Sequence, residues 1–218
     1  MIKHISFDAW NTLLIPNKKY AQLRAELLSD TFHVHVDRAK AVYTDTKHLL
    51  DHLAEAHGLG MNVHHAFNVL ITKFGAEDHK MVHSLMDQVS QLFLAHPPTI
   101  LEDSVKAIEE VKAQGVTIGI TSNTNFICGY DLNEVFDNHF KFEVGVFSDL
   151  VGSSKPSKLI FDIHLRELKK YYVDIDRSEV LHIGDNHVCD FIGAKNFGFQ
   201  AEFITNVDQV PQILRNIK

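Results

Sequence analysis

The chain has 218 residues, 45% apolar and 22% charged, which suffices for one large core or two unequal domains. A formal net charge of −7 and a pI near 6.1 argue against general affinity for nucleic acid or an anionic membrane. No apolar run approaches the roughly 18–20 residues of a membrane span. The opening "MIKHISFD" reaches an Asp too early for a targeting peptide, and two distant cysteines, Cys128 and Cys189, suit reduced thiols in a cytoplasm.

In chain order, "HISFD" (4–8) is a short β-branched and aromatic run that reads as a buried strand. The stretch that follows is helix-periodic throughout: "KKYAQLRAELLSDTF", "DRAKAVYTDTKHLLDHLAEAHG", "NVHHAFNVLITKFG" and "EDHKMVHSLMDQVSQLFLAH", with Asp37 and Asn62 expected as N-caps. "HPPT" (96–99) ends it, because consecutive prolines stop a helix and stiffen a linker. From there strands and helices alternate. "DSVKAIEEVKAQG" is a helix with apolar Val105, Ile108 and Val111 and Gly115 as its C-cap. "VTIGITS", "FEVGVFS", "EVLHIGD" and "FQAEFIT" are strands, with helices at "SKLIFDIHLRELKK" and "CDFIGAKNFG". The pattern predicts an α/β fold: a Rossmann-like parallel sheet with helices on both faces, built from 1–15 and 97–218, plus an inserted helical-bundle cap at 16–96.

Ligands of open α/β sheets bind outside the carboxyl ends of the strands, and an insertion there becomes a lid. The chemistry is therefore sought at strand ends. The first ends in Asp8 with Thr12 in the turn, the second in Thr121, Ser122 and Asn123, and the third is followed by "SSKPS" with Lys155. The fourth ends in "GDNHVCD", Gly184 to Asp190. Three carboxylates, Asp8, Asp185 and Asp190, face one Lys, so a hard dication would relieve the repulsion.

This set resembles the haloacid dehalogenase (HAD) superfamily of hydrolases, most specifically in "GDNHVCDFIGAKNFG" and "SSKPSKLIFD", and the helical insert resembles that superfamily's cap. The resemblance implies a hydrolase acting on a small molecule. Asp8 would be the nucleophile, Ser122 would hydrogen-bond the transferring group, and Lys155 would neutralise Asp8 and substrate oxygens. Mg²⁺ would be held by Asp8, the Trp10 backbone carbonyl and Asp185, with Asp190 ligating it or supporting the site. Trp10, Thr12, Asn123 and Arg38 are the expected substrate-binding residues. A cytoplasmic monomer or homodimer is expected, with neither nucleic acid nor membrane as partner.

Position 10 departs from the family's phosphatases. Their first motif is Asp-x-Asp, and the second Asp serves as acid and base, help worth about 10²–10⁴-fold. Here it is Trp10, which can do neither. "FDAWNT" is closer to the dehalogenase branch's "FDxYGT", where a halide leaves without a proton, and Arg38 lies where that branch carries a substrate-carboxylate Arg. The fourth motif points the other way, since those dehalogenases work without metal and carry Ser-Asn-x-x-x-Asp. Asp185 is an added charge that needs compensation, so a Mg²⁺-dependent phosphatase forming an aspartyl-phosphate at Asp8 is the leading reading. A 2-haloacid dehalogenase-like hydrolase and a non-catalytic binder of phosphoryl ligands are the alternatives. Lys47 is the candidate for a Schiff-base branch, and His187 the histidine to test as a replacement acid or base. The remaining histidines are scattered over the cap without convergent metal spacing.

Overall fold

The computed structural model describes residues 1–76 and 80–217. Five strands form one parallel sheet: β1 (His4–Phe7), β2 (Thr117–Ser122), β3 (Val144–Phe147), β4 (Val180–Gly184) and β5 (Gln200–Phe203), in the order β3-β2-β1-β4-β5. All five coincide with the apolar runs of the sequence. β1 is central, with Phe7 opposite Ile120 on one side and Ile183 on the other. Asp8 therefore leaves the sheet at its middle, flanked by the ends of β2 and β4.

Strand alternation sorts the two faces. Ile5, Phe7, Ile118, Ile120, Leu181 and Ile183 share a core with Ile108 and Val111 of α5 (Glu102–Lys112) and Val210 and Leu214 of α10 (Gln209–Arg215). The other face carries polar residues in its centre, His4, Ser6, Thr121 and His182, all fully buried. It is covered by α8 (Lys158–Leu168), which packs on β2 and β3, while Phe161, Phe197 and Val146 join an apolar cluster around it.

Between β1 and α5 lie α1 (Lys18–Phe32), α2 (Val36–His57), α3 (Val63–Lys73) and α4 (Met81–Ala95), in mutual contact as a bundle. Its two connections run side by side, since Ile15 and Thr99 exchange backbone hydrogen bonds of 2.8 and 3.1 Å. Asn62 caps α3 as expected, accepting from the His65 N–H at 2.9 Å. Asp37 does not cap α2. Helix α1 closes on His33 in the left-handed region, α2 starts at Val36, and the His35 imidazole accepts from the Asp37 N–H. The expected start of α4 at 77–79 lies outside the described residues. Gly115 sits beyond the C-cap Ala113, closing the following turn at φ 89°.

Three helices were not legible in the sequence: α6 (Gly129–Asp137), α7 (Ser148–Val151) and α10. "CDFIGAKNFG" divides into a π-helical turn at His187–Ile192 and α9 (Gly193–Phe197). No helix among the described residues is long and apolar enough to cross a membrane.

Candidate active site

Lys155 organises the site. Its ammonium is almost fully buried and spends its three protons on Asp8 Oδ1 at 2.6 Å, Asp190 Oδ1 at 2.6 Å and the Thr121 carbonyl at 2.7 Å. Its backbone is clamped from the end of β2: Asn123 Oδ1 accepts from the Lys155 N–H at 2.7 Å and Asn123 Nδ2 donates to the Lys155 carbonyl at 2.9 Å. Cys189 Sγ donates to that same carbonyl at 3.2 Å. Both polar ends of the Asn123 side chain are thus engaged in holding Lys155.

Asp190 turns back from the π-helical turn to meet the strand ends. Its Oδ2 accepts from the Asn186 N–H at 2.9 Å, and its Oδ1 accepts from His182 Nε2 at 3.0 Å as well as from Lys155. This return is possible only beside a glycine, because a Cβ on Gly184 would lie 2.2 Å from Asp190 Cγ. Burial alone would raise Asp190, but Lys155 and His182 outweigh it and hold its carboxyl well below the usual range. Asp8 is the opposite case. Burial pushes it up to about 7, with Asp190 and Asp185 adding to the rise and Lys155 opposing it. Asp185 is half-buried and also raised, by burial first and then by Asp190, while Asn11 works against the rise. Lys155 is raised despite its burial because the two carboxylates it touches dominate.

Oxygens of Asp8, Asp185 and Asp190 lie within 4.8 Å of one another. These are hard donors, and Mg²⁺ commonly takes one or two carboxylates and completes its shell with water and substrate. Asp190 has each oxygen engaged by protein donors, whereas Asp185 lines the cavity with a hydrogen bond from Asn11 and no ion pair among the described residues. The donor set fits a hard dication at Asp8 and Asp185, with Asp190 behind them.

Asp190 is also the end of a buried hydrogen-bond chain on the polar sheet face. From Thr117 Oγ1 it runs to His4 Nδ1 at 2.8 Å, then from His4 Nε2 to His164 Nε2 at 2.8 Å. It continues from His164 Nδ1 to Thr121 Oγ1 at 2.7 Å, to Ser6 Oγ at 3.0 Å, to His182 Nδ1 at 3.0 Å and so to Asp190. Burial lowers the pKa of all three histidines, so each is neutral, with one N–H to give and one lone pair to accept. An ionised Asp190 accepts only, so His182 must carry its proton on Nε2. Every bond back along the chain is then fixed in direction: protons sit on His182 Nε2, Ser6, Thr121, His164 Nδ1, His4 Nε2 and Thr117. A Cβ on Gly119 would lie 2.6 Å from His164 Cε1 and 2.8 Å from His4 Nε2, so this glycine admits the His–His contact. Sequence reasoning missed the chain. Its signal was present as period-two polar residues, His4-Ser6-Asp8 and Thr117-Gly119-Thr121, inside otherwise apolar strands.

A cavity of about 490 Å³ opens above Asp8 between the sheet and the bundle. Asp8, Trp10, Asn11, Asn123, Lys155, Asp185 and Asp190 line its floor. The Trp10 indole forms a wall toward the bundle, its ring centroid 6.2 Å from Phe93, which in turn meets Tyr20 at 5.5 Å. Thr12 is fully buried with its hydroxyl unpartnered, and Ser122 is fully buried with only a long 3.4 Å contact to the Asn123 carbonyl.

Arg38 does not join them; it is exposed on the outer side of α2, off the cavity lining. Alternation around α2 presents Tyr43, Lys47, Leu50, Asp51, Ala54 and Glu55 instead. Lys47 is ion-paired with Asp51 at 2.5 Å, and Asp51 also accepts from Asn125 Nδ2 at 2.8 Å. His187 is exposed, stacks on Phe191 and lies off the cavity lining. Cys128 and Cys189 are free thiols raised by burial, to about 11 and about 12 respectively, so neither is a ready nucleophile.

A parallel sheet with a carboxylate at the end of its central strand, a buried Lys beside it and a helical roof defines the class of strand-end hydrolases. More specifically, the chain belongs to the haloacid dehalogenase-like hydrolases, whose family model matches residues 2–198. An uncharacterized hydrolase of Schizosaccharomyces pombe is 28% identical over 214 residues, covering 93% of this chain and 90% of the relative. Among solved structures, the HAD-hydrolase YfnB of Bacillus subtilis, bound to magnesium, superposes with a TM-score of 0.73 at 17% identity, covering 98% of this chain and 99% of that one. A 2-haloacid dehalogenase of Pseudomonas syringae gives 0.64 at 22% identity with 99% of each chain covered. A HAD phosphatase of Thermococcus onnurineus gives 0.63 at 18% identity with 98% of each covered. At these identities the structures establish the fold.

Proposed function

We propose that the chain is a Mg²⁺-dependent phosphatase that acts on a small phosphorylated metabolite in the cytoplasm through an aspartyl-phosphate at Asp8. Residues 1–15 and 97–218 would form the catalytic core and 16–96 the lid. The observation that carries this reading is the crowding of three carboxylates within 4.8 Å around one ammonium. Lys155 spends its contacts on Asp8 and Asp190, which leaves Asp185 with a hydrogen bond from Asn11 but no direct ion pair among the described residues. A reaction without metal gives no reason to keep that carboxylate. The rise of Asp8 to about 7 adds a second reason, since a dication would keep the nucleophile ionised.

Mg²⁺ held by Asp8, Asp185 and the Trp10 carbonyl, with Asp190 behind, would neutralise phosphoryl oxygens. The chain's own part follows from its contacts. Lys155 fixes Asp8 through Oδ1, so the other oxygen attacks phosphorus as the ester P–O bond breaks. The family resemblance also offers the hydroxyls of Thr12 and Ser122 to phosphoryl oxygens, but both are fully buried and lie off the cavity lining. The leaving oxygen takes its proton from water, because Trp10 stands where an acid would, and water then hydrolyses the acyl phosphate to return Asp8. A panel of phosphate monoesters assayed with Mg²⁺ and with chelator tests the reading. Turnover that needs Mg²⁺ and vanishes in Asp8→Asn supports it; no turnover of any ester by folded protein refutes it.

Trp10 favours one other reading, a 2-haloacid dehalogenase-like reaction, because halide departure needs no proton. The position of Arg38 withdraws the support it lent to that reading. Chelator-resistant chloride release from 2-chloropropionate would establish the reaction, and its absence would remove it.

A further inference from the structure

The roof of the cavity holds a cation that has no ion pair among the described residues. Arg24, on α1, lines the same cavity as Asp8. Its guanidinium carbon lies 3.7 Å over the Tyr43 ring and 5.0 Å from the centroid of Tyr20. Its Nε is buried without a hydrogen-bond partner, and so is the hydroxyl of Tyr20, a side chain with 6% of its surface exposed. The two lie close: burial raises the Tyr20 phenol and Asp131 adds to the rise, while Arg24 works against it by its charge and by a contact of the guanidinium with the hydroxyl. The other cations of the lining are engaged, Lys155 by Asp8 and Asp190 and Lys47 by Asp51. Glu55 is the unpaired acid of the roof, but it stands twelve residues beyond Tyr43 on α2, about 18 Å along the helix.

An arginine held over two aromatic rings has less rotational freedom to lose when a ligand arrives, and the edge of its fork matches a carboxylate or phosphate. Arg24 is only partly buried, so the cost falls on its buried Nε edge, and an anion that accepts from that edge removes it. We propose that Arg24 and Tyr20 form a second anion subsite, so that the substrate carries a carboxylate or a second phosphate besides the group attacked by Asp8. This rests on the phosphoryl reading at Asp8 and narrows its substrate class to small organic phosphates with a distal anion.

Trp10 is the chain's single tryptophan and lies between the two subsites, joined to Tyr20 through Phe93. Its fluorescence can therefore report binding without turnover. The titration uses Mg²⁺-loaded protein and two inert series of increasing chain length, alkylphosphonates and the matching ω-phosphonocarboxylates, with α,ω-bisphosphonates separating carboxylate from phosphate. The second anion is expected to tighten binding about 10- to 100-fold at one or two chain lengths. That gain should disappear in Arg24→Gln and return in part in Arg24→Lys, each checked for fold by circular dichroism. Equal affinity of the paired series at every length overturns the subsite, and so does a gain that survives in Arg24→Gln. If no phosphonate binds wild-type protein, the phosphoryl reading at Asp8 fails. The subsite is then decided by straight-chain carboxylates alone: Arg24-dependent quenching upholds it, and no quenching overturns it.

Discussion

Three neutral histidines under α8 make the fold acid-sensitive in a way that can be apportioned to one residue. Burial lowers His4 from 6.5 to about 3. The folded state thus refuses a proton that the unfolded chain accepts below 6.5, and the unfolded state binds more protons in that window. Stability from the neutral His4 is fully present above the unfolded value and is lost as pH falls toward 3, on the order of 5 kcal/mol in all. Between pH 7.5 and 5.5 this one group should withdraw roughly 1–1.5 kcal/mol. The perturbation is His4→Gln, whose amide can still donate toward His164 but has nothing to titrate. At pH 7.5 the variant should be less stable by about 1–3 kcal/mol, from the lost Thr117 bond and imperfect packing. Urea unfolding at the two pH values measures the difference, which should shrink by the titration amount at the lower pH. Parallel changes in the two proteins would refute the buried, neutral His4. A tautomer map from imidazole ¹⁵N shifts checks the same chain directly: protons on His4 Nε2, His164 Nδ1 and His182 Nε2 are expected, and any other set breaks its direction.

Lys155→Met should destabilise the protein by about 3–5 kcal/mol because it strands two buried carboxylates, and melting with Mg²⁺ should recover part of that loss. Gly184→Ala should displace Asp190, which stands within 2.2 Å of the added carbon, and should cut Mg²⁺ affinity as read by calorimetry; unchanged affinity would show that Asp190 does not support the metal. Trp10→Asp should raise phosphate ester turnover, by up to about 10²-fold if the new acid reaches the leaving oxygen. An equal or lower rate in a folded variant would place the bottleneck elsewhere.

Period and composition determined much of this molecule. Apolar runs of four to seven residues located every strand, and 3.6-residue periodicity located the bundle, because both patterns report burial that local geometry imposes. Chain order brought Asp8, Ser122 and Asp185 to strand ends, with Lys155 and Asp190 in the segments that follow β3 and β4, since parallel strands all point their carboxyl ends one way. Helices α6, α7 and α10 escaped because they are short and draw their stability from packing on the sheet rather than from propensity.

Tertiary structure alone decided which partners those residues keep. The family resemblance offered Arg38, but the rotation of the bundle over the sheet, which neither resemblance nor periodicity supplies, leaves Arg38 outside and brings Arg24 to the cavity. Asn123 became a support of Lys155 only when the segments after β2 and β3 converged, and His182 a support of Asp190 only when the π-helical turn folded back onto β4. The hydrogen-bond chain from Thr117 to Asp190 joins β1, β2, β4 and α8, elements up to 176 residues apart, and its polar atoms find partners only when all four are assembled. Sequence supplied the charges and their order along the chain. Long-range packing set their distances, and in electrostatics the distance decides whether a carboxylate is an anchor, a nucleophile or a metal ligand.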